Sequence, residues 1–233
     1  MEYRDRHVVV TGGTGALGSA VVSSLVRAGA ICHVPYIMSA EAERFPLRED
    51  PKVRLVAVSD LSDETAVNTF YRTVPGLWAS IHLAGGFAMG PVAEISKSDL
   101  MKQIDMNCTT AFLCCKAAVT SMLREERGGR IVNVASRPAL EWRLGSGMTA
   151  YAASKAAVAA LTTALAEEVV NRGILVNAVA PSTMDTPANR KAMPKAEYAA
   201  WPKVEEVAAA IVFLASPENR VTRGAVVPVY GRS

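Results

Sequence analysis

Thr11-Gly12-Gly13-Thr14-Gly15-Ala16-Leu17-Gly18 follows a short β-branched run, His7-Val8-Val9-Val10. After it, Val21, Val22, Leu25 and Val26 recur at helical spacing through residues 19–28. Strand, glycine turn and helix, in that order, are the setting in which a dinucleotide's pyrophosphate is bound. Glycine lacks a Cβ, so the backbone can turn tightly and approach a phosphate. The helix behind the turn offers free N–H groups and a partial positive charge. A tight turn could use glycines for its own geometry alone. The position of this one, at the head of an α/β pattern, favours the phosphate reading.

Working outward, strands are expected at 31–36, 53–58, 79–84, 130–135, 174–180 and 225–229. Helices are expected between them at 63–73, 99–124, 150–171 and 205–215. Ser62 is the expected cap of the 63–73 helix. Residues 137–149 read as a loop rich in glycine and small residues. Residues 182–202 form a long excursion punctuated by Pro187, Pro194 and Pro202, partly helical over 191–201. An excursion of that length points to a binding lid, placed at about 183–202. Strands alternating with helices throughout predict an α/β fold, a doubly wound parallel sheet of the Rossmann type. With 233 residues and no linker or internal repeat, a single domain over 1–233 is expected.

Composition excludes several classes. Half of the residues are hydrophobic and the net charge is only +3, with Lys and Arg scattered. No nucleic-acid footprint or polybasic membrane arm is present. No apolar run reaches membrane-spanning length. Cys32, Cys108, Cys114 and Cys115 lack metal-ligand spacing and read as free thiols, so no metal is expected. The polar start, residues 1–7, does not resemble a signal peptide. A soluble cytoplasmic protein is the expectation.

Tyr151 and Lys155 lie four apart at the front of the Ala-rich 150–171 helix, hence on one face. A neighbouring ammonium favours the phenolate and lowers a tyrosine pKa. The pair therefore reads as a proton donor and acceptor. A surface tyrosine and a solvated lysine one turn apart are the alternative. Ser136 ends a strand, where open α/β sheets place ligands, or is a turn residue. Asn107 sits among apolar neighbours and is either catalytic or a satisfied core amide.

Taken together, the glycine turn, Ala84-Gly85, Asn107, Ser136, Tyr151-x-x-x-Lys155 and Asn177-Ala178-Val179-Ala180-Pro181 resemble the short-chain dehydrogenase/reductase family. The resemblance covers nearly the whole chain. It implies an NAD(P)(H)-dependent oxidoreductase that moves hydride between a nicotinamide and a carbonyl or alcohol. By that resemblance Tyr151 handles the proton, and Lys155 lowers the Tyr151 pKa and holds the nicotinamide ribose. Ser136 polarises the substrate oxygen, and Asn107 holds a water leading from Lys155. The implied cofactor residues are Gly12, Thr14, Gly15, Ala16, Leu17 and Gly18 at the pyrophosphate and Tyr36, Asp60 and Leu61 at the adenosine. Ala84, Gly85, Gly86, Asn107, Tyr151, Lys155, Pro181, Ser182, Thr183 and Thr186 complete the set.

The chain departs from the family pattern in places. Ala16 stands where the middle glycine is common, His82-Leu83 where Asn-Asn is usual, and Ser182 where glycine follows the proline. Tyr36, Ile37 and Met38 stand at the end of the second strand, without the acid that suits NAD or the arginine that suits NADP. Arg44 could reach, but in its Glu-flanked stretch it reads equally as a solvated charge, so both cofactors stay open. Residues 185–194 with Trp201 are similar to the lid of quinonoid dihydropteridine reductases, which makes a pterin reductase the alternative enzyme. A non-catalytic cofactor-binding scaffold is the alternative from another class. The Ala-rich helix and the resemblance together imply a homodimer or homotetramer.

Overall fold

Seven parallel strands run through the centre of the molecule in the order β3-β2-β1-β4-β5-β6-β7. The computed structural model describes all residues, 1–233. The strands are β1 (His7–Thr11), β2 (Ile31–Tyr36), β3 (Val53–Ala57), β4 (Leu77–His82), β5 (Gly129–Val134), β6 (Ile174–Pro181) and β7 (Val226–Val229). The inner strands β2, β1, β4, β5 and β6 are buried on both faces, so their apolar residues serve two cores alternately, whereas the edge strands β3 and β7 are only partly covered. Val8 and Val10 point to one core and Val9 to the other; Val132 and Ile131 divide the same way. The first core is covered by α1 (Ala16–Arg27) through Val21, Val22 and Leu25, and by Val207, Ala208 and Ile211. The second is covered by Val67, Phe70, Leu113, Met122 and Val169. Each such buried Val, Leu, Ile, Phe or Met side chain contributes roughly 1.5–3 kcal/mol.

The remaining helices are α2 (Ser39–Arg44), α3 (Glu64–Arg72), α4 (Lys97–Gln103), α5 (Thr110–Glu125), α6 (Arg137–Leu140), α7 (Thr149–Val169), α8 (Pro187–Ala192) and α9 (Val204–Leu214). No helix is long and apolar enough to cross a membrane. The doubly wound parallel sheet is as expected, and all four cysteines are free. Strand order reverses between β1 and β4, and a crevice opens at such a switch point, beyond the carboxyl ends of the strands.

Four local expectations are corrected. The helix expected at 99–124 is two helices, α4 and α5, separated by a π-helical turn, Ile104–Thr109. The Thr110 N–H reaches back to the Asp105 carbonyl there, and the Thr110 hydroxyl donates to that carbonyl at 2.9 Å. The 137–149 loop contains α6 and a 3-10 turn, Trp142–Gly145, because Pro138 suits a first helical turn. Asp63, not Ser62, caps α3, its carboxylate accepting from Ala66 N at 2.7 Å; Ser62 instead donates to Asp60. In the excursion, α8 ends at Ala192, two residues before Pro194, and only a 3-10 turn, Tyr198–Ala200, follows. Its neck is closed by Asp185 N donating to Pro202 O at 2.9 Å and by Arg190 forking onto Asp185 at 2.6 and 2.8 Å.

Candidate functional site

The crevice at the switch point is a cleft of about 850 Å³. Of the residues expected to contact a cofactor, Gly12, Thr14, Gly15, Tyr36, Asp60, Leu61, Ala84 and Gly85 line it. The glycines of the turn have different reasons for being glycine. Gly12 has φ +65°, and a Cβ there would sit 2.7 Å from Ala84 N. At Gly18 a Cβ would lie 2.1 Å from Gly12 O, so this glycine lets α1 pack on the turn. A Cβ at Gly15 would meet nothing closer than Gly12 O at 3.4 Å. The fold does not require glycine at 15, which leaves room for a ligand. Gly15 is also the N-cap of α1, with no side-chain cap and no acid in the first turn. The first N–H groups of α1 are thus available to an anion. Ala16 is exposed beside Gly15, whereas the Leu17 side chain is in the core.

A second group of residues adjoins the cleft through Gly85. A Cβ on Gly85 would lie 2.5 Å from Asn107 Oδ1 and 3.4 Å from Lys155 Nζ. Asn107 sits in the π-helical turn and is fully satisfied. Its Oδ1 accepts from Gly86 N at 3.0 Å, and its Nδ2 donates to Gly86 O and Ser154 Oγ, each at 3.0 Å. The amide therefore ties the end of β4 to α7. Lys155 Nζ donates to Val134 O at 2.8 Å, and burial lowers its pKa to about 8.

The phenol of Tyr151 is governed here by burial and by Ser136. Burial raises its pKa, and the hydroxyl of Ser136 draws it down. Lys155 is turned to the Val134 carbonyl, and its own charge is weakened by desolvation. Ser136 is buried, and its Oγ, although close enough to influence the phenol, makes no hydrogen bond of proper distance and angle.

Pro181, Ser182, Thr183 and Thr186 leave the end of β6 without lining the cleft. Thr186 is buried as the cap of α8, accepting from Asn189 N at 3.2 Å. The Ser182 hydroxyl is engaged with Tyr230 O at 2.9 Å and Ser233 Oγ at 2.7 Å.

Three features were not anticipated. The Phe87 ring stands edge-on to Tyr151, centroids 4.9 Å apart, yet remains 58% exposed. Its loop is pinned at both ends, by Asn107 on Gly86 and by Gly90 N donating to Gly147 O at 2.9 Å. Glu41 and Lys102 line the cleft from α2 and α4. Finally, His82 is buried between Ser80 Oγ and Asn133 Oδ1, both at 2.8 Å, with its pKa lowered by desolvation to about 4. It is a neutral link in the sheet rather than part of the cleft. A bulky residue directly after Gly85-Gly86, and an acid within a turn of β2, are signals that could have found Phe87 and Glu41.

Residues 6–197 match the family described as short chain dehydrogenase. The chain is 35% identical to a galactitol 2-dehydrogenase of Rhizobium johnstonii, over 95% of this chain and 92% of that one. Among solved structures it is similar to gox2181, with TM-score 0.91 and 29% identity over 99% of this chain and 96% of that one. It also shares its fold with ElxO, whose structure holds NADP, at TM-score 0.87 and 24% identity, covering 97% and 98% of the two chains.

Proposed function

Because this chain belongs to the short chain dehydrogenase family and is an NAD(P)-dependent oxidoreductase, we propose that it interconverts a carbonyl and an alcohol, with Tyr151 handling the proton at the substrate oxygen. The observation that carries this reading is the Ser136 hydroxyl, 5% exposed and without a hydrogen-bond partner beside that phenol. A buried hydroxyl left unpaired costs about 1–3 kcal/mol. A substrate oxygen seated between Ser136 and Tyr151 would remove that cost. Ser136 then donates to the oxygen and stabilises charge that develops on it. Tyr151, whose pKa is raised by burial, gives its proton to the same oxygen during reduction and takes it back during oxidation.

The residues present fit a dinucleotide. The cleft has the volume, α1 presents an uncapped N-terminus, and Gly15 leaves its approach open. Gly12, Thr14, Gly15 and Ala16, with the N–H groups of Leu17 and Gly18, would hold the pyrophosphate. Tyr36, Asp60 and Leu61 would lie toward the adenosine, and Ala84, Gly85 and Gly86 against its ribose. Pro181, Ser182, Thr183 and Thr186 would lie toward the carboxamide. When bound, NAD(P) supplies or accepts the hydride. Lys155 would hold the nicotinamide ribose, and Asn107 keeps Gly86 and α7 in register behind it. Residues 183–202 would serve as the substrate lid, and Phe87 as a wall beside the reacting oxygen. The working form in this reading is a cytoplasmic homodimer or homotetramer that pairs through α7, which light scattering would test.

The deciding experiment measures cofactor turnover over a panel of ketones, aldehydes and alcohols, with quinonoid dihydropterin included. Tyr151→Phe should lose roughly 10²–10⁴ of the turnover while keeping its melting temperature and dinucleotide binding. Full turnover in that variant would refute the role of Tyr151. Activity confined to the pterin would favour the reading carried by the similarity of residues 185–194 to pterin reductases.

A further inference from the structure

We propose that Glu41 makes this protein selective for NAD(H) over NADP(H). The inference rests on the dinucleotide reading above and concerns which dinucleotide the cleft accepts. β2 ends in Pro35-Tyr36-Ile37, with no acid to receive a ribose and no arginine to receive a phosphate. The structure supplies what that strand end lacks. Glu41, in the first turn of α2, lines the cleft together with Pro35, Tyr36 and Ile37. With the pyrophosphate at the N-terminus of α1, the adenosine must extend across the ends of β2 and β3, where these residues stand.

The Glu41 carboxylate is half-buried and takes part in no hydrogen bond or ion pair. Asp60, the other acid at this end, is occupied by Ser62 N at 2.7 Å and Ser62 Oγ at 2.8 Å. Arg48 is turned away onto Glu49 at 3.1 Å, and Arg44 does not line the cleft. The charged residues of the lining are Glu41, Asp60 and Asp105 against Lys102 alone, so three negative charges face one positive. A free carboxylate offers two acceptor oxygens, which suits a pair of ribose hydroxyls. The same carboxylate repels a 2′-phosphate dianion, and no guanidinium lines the cleft to offset it. Selectivity then comes from repulsion of the wrong ligand as much as from attraction of the right one.

The test is a titration of the intact protein with NADH and with NADPH, followed by nicotinamide fluorescence, which reads binding without turnover. Wild type should bind NADH about tenfold or more tightly than NADPH, since like-charge juxtaposition strongly penalises a wrong partner. Glu41→Gln should weaken NADH modestly and narrow the ratio severalfold, and Glu41→Arg should invert it. Thermal melts of both variants should match wild type, because Glu41 holds no partner in the fold. Tighter binding of NADPH by wild type would overturn the proposal. So would an unchanged ratio in Glu41→Gln, which would move any selectivity to another residue. Failure of wild type to bind either dinucleotide at millimolar concentration would instead refute the functional reading itself, and this inference with it.

Discussion

Two glycines of one turn should respond to the same substitution in opposite ways. Gly12→Ala places a Cβ at φ +65°, 2.7 Å from Ala84 N and 2.9 Å from Leu83 C. The left-handed backbone alone costs about 1–2 kcal/mol, and moving the end of β4 aside adds about 1–3. For a chain of this size a loss of about 2–5 kcal/mol lowers the melting temperature by roughly 5–20 °C. Gly15→Ala meets neither obstacle. Its φ and ψ, −75° and 177°, suit any residue, and its Cβ approaches only Gly12 O at 3.4 Å. By restricting the unfolded chain it should leave stability unchanged or raise it by about 0.4–1 kcal/mol. Its methyl group, however, enters the cleft where a pyrophosphate must approach the helix. Losing one charge-assisted hydrogen bond there weakens dinucleotide binding by about 10- to 100-fold. Thermal melts without ligand and fluorescence titration with NADH separate the two effects. The reasoning fails if Gly15→Ala melts as low as Gly12→Ala, because the turn itself would then need both glycines. It fails equally if Gly15→Ala binds NADH as wild type does.

Other substitutions test other parts of the site. Burial lowers the Lys155 pKa from the ordinary 10.5 to about 8 in the folded chain, so between those values the unfolded chain binds more protons. Stability should therefore rise as pH increases from about 8 to 10.5, by on the order of 3 kcal/mol at most, and Lys155→Met should abolish that rise in pH-dependent melts. Asn107→Leu strips partners from both Gly86 backbone groups and from Ser154; it should cost about 3–6 kcal/mol, read by denaturant titration, and reduce turnover with it. Asp63→Ala removes the cap of α3 and should cost about 1 kcal/mol in the same titration, with turnover unchanged.

The residues that were legible in the sequence share a physical character. The apolar runs at β1, β2 and β6 and the glycine turn between β1 and α1 carry their information in adjacent residues, through period, Cβ absence and backbone freedom. The placement of Tyr151 and Lys155 one turn apart on a single helix was legible for the same reason, since a four-residue spacing is local geometry. The split of the expected 99–124 helix was not. Its apolar pattern runs on through Asn107, and the π-helical turn is stabilised by Gly86 and Ser154, which are distant in the chain. The cap of α3 was misplaced by one residue because Ser62 and Asp63 are both capping types, and only the path of the backbone chose between them.

What the sequence determined by itself is the alternation of strand and helix, and with it the parallel sheet and the position of the crevice. These follow from hydrophobic period and from rules of connection that hold for any chain. Tertiary structure alone decided that Lys155 faces the Val134 carbonyl, that burial raises the Tyr151 pKa, that Ser136 is left without a partner, and that Glu41 turns into the cleft. A side chain's charge state and free valence depend on what surrounds it in space, and those neighbours come from segments far apart along the chain.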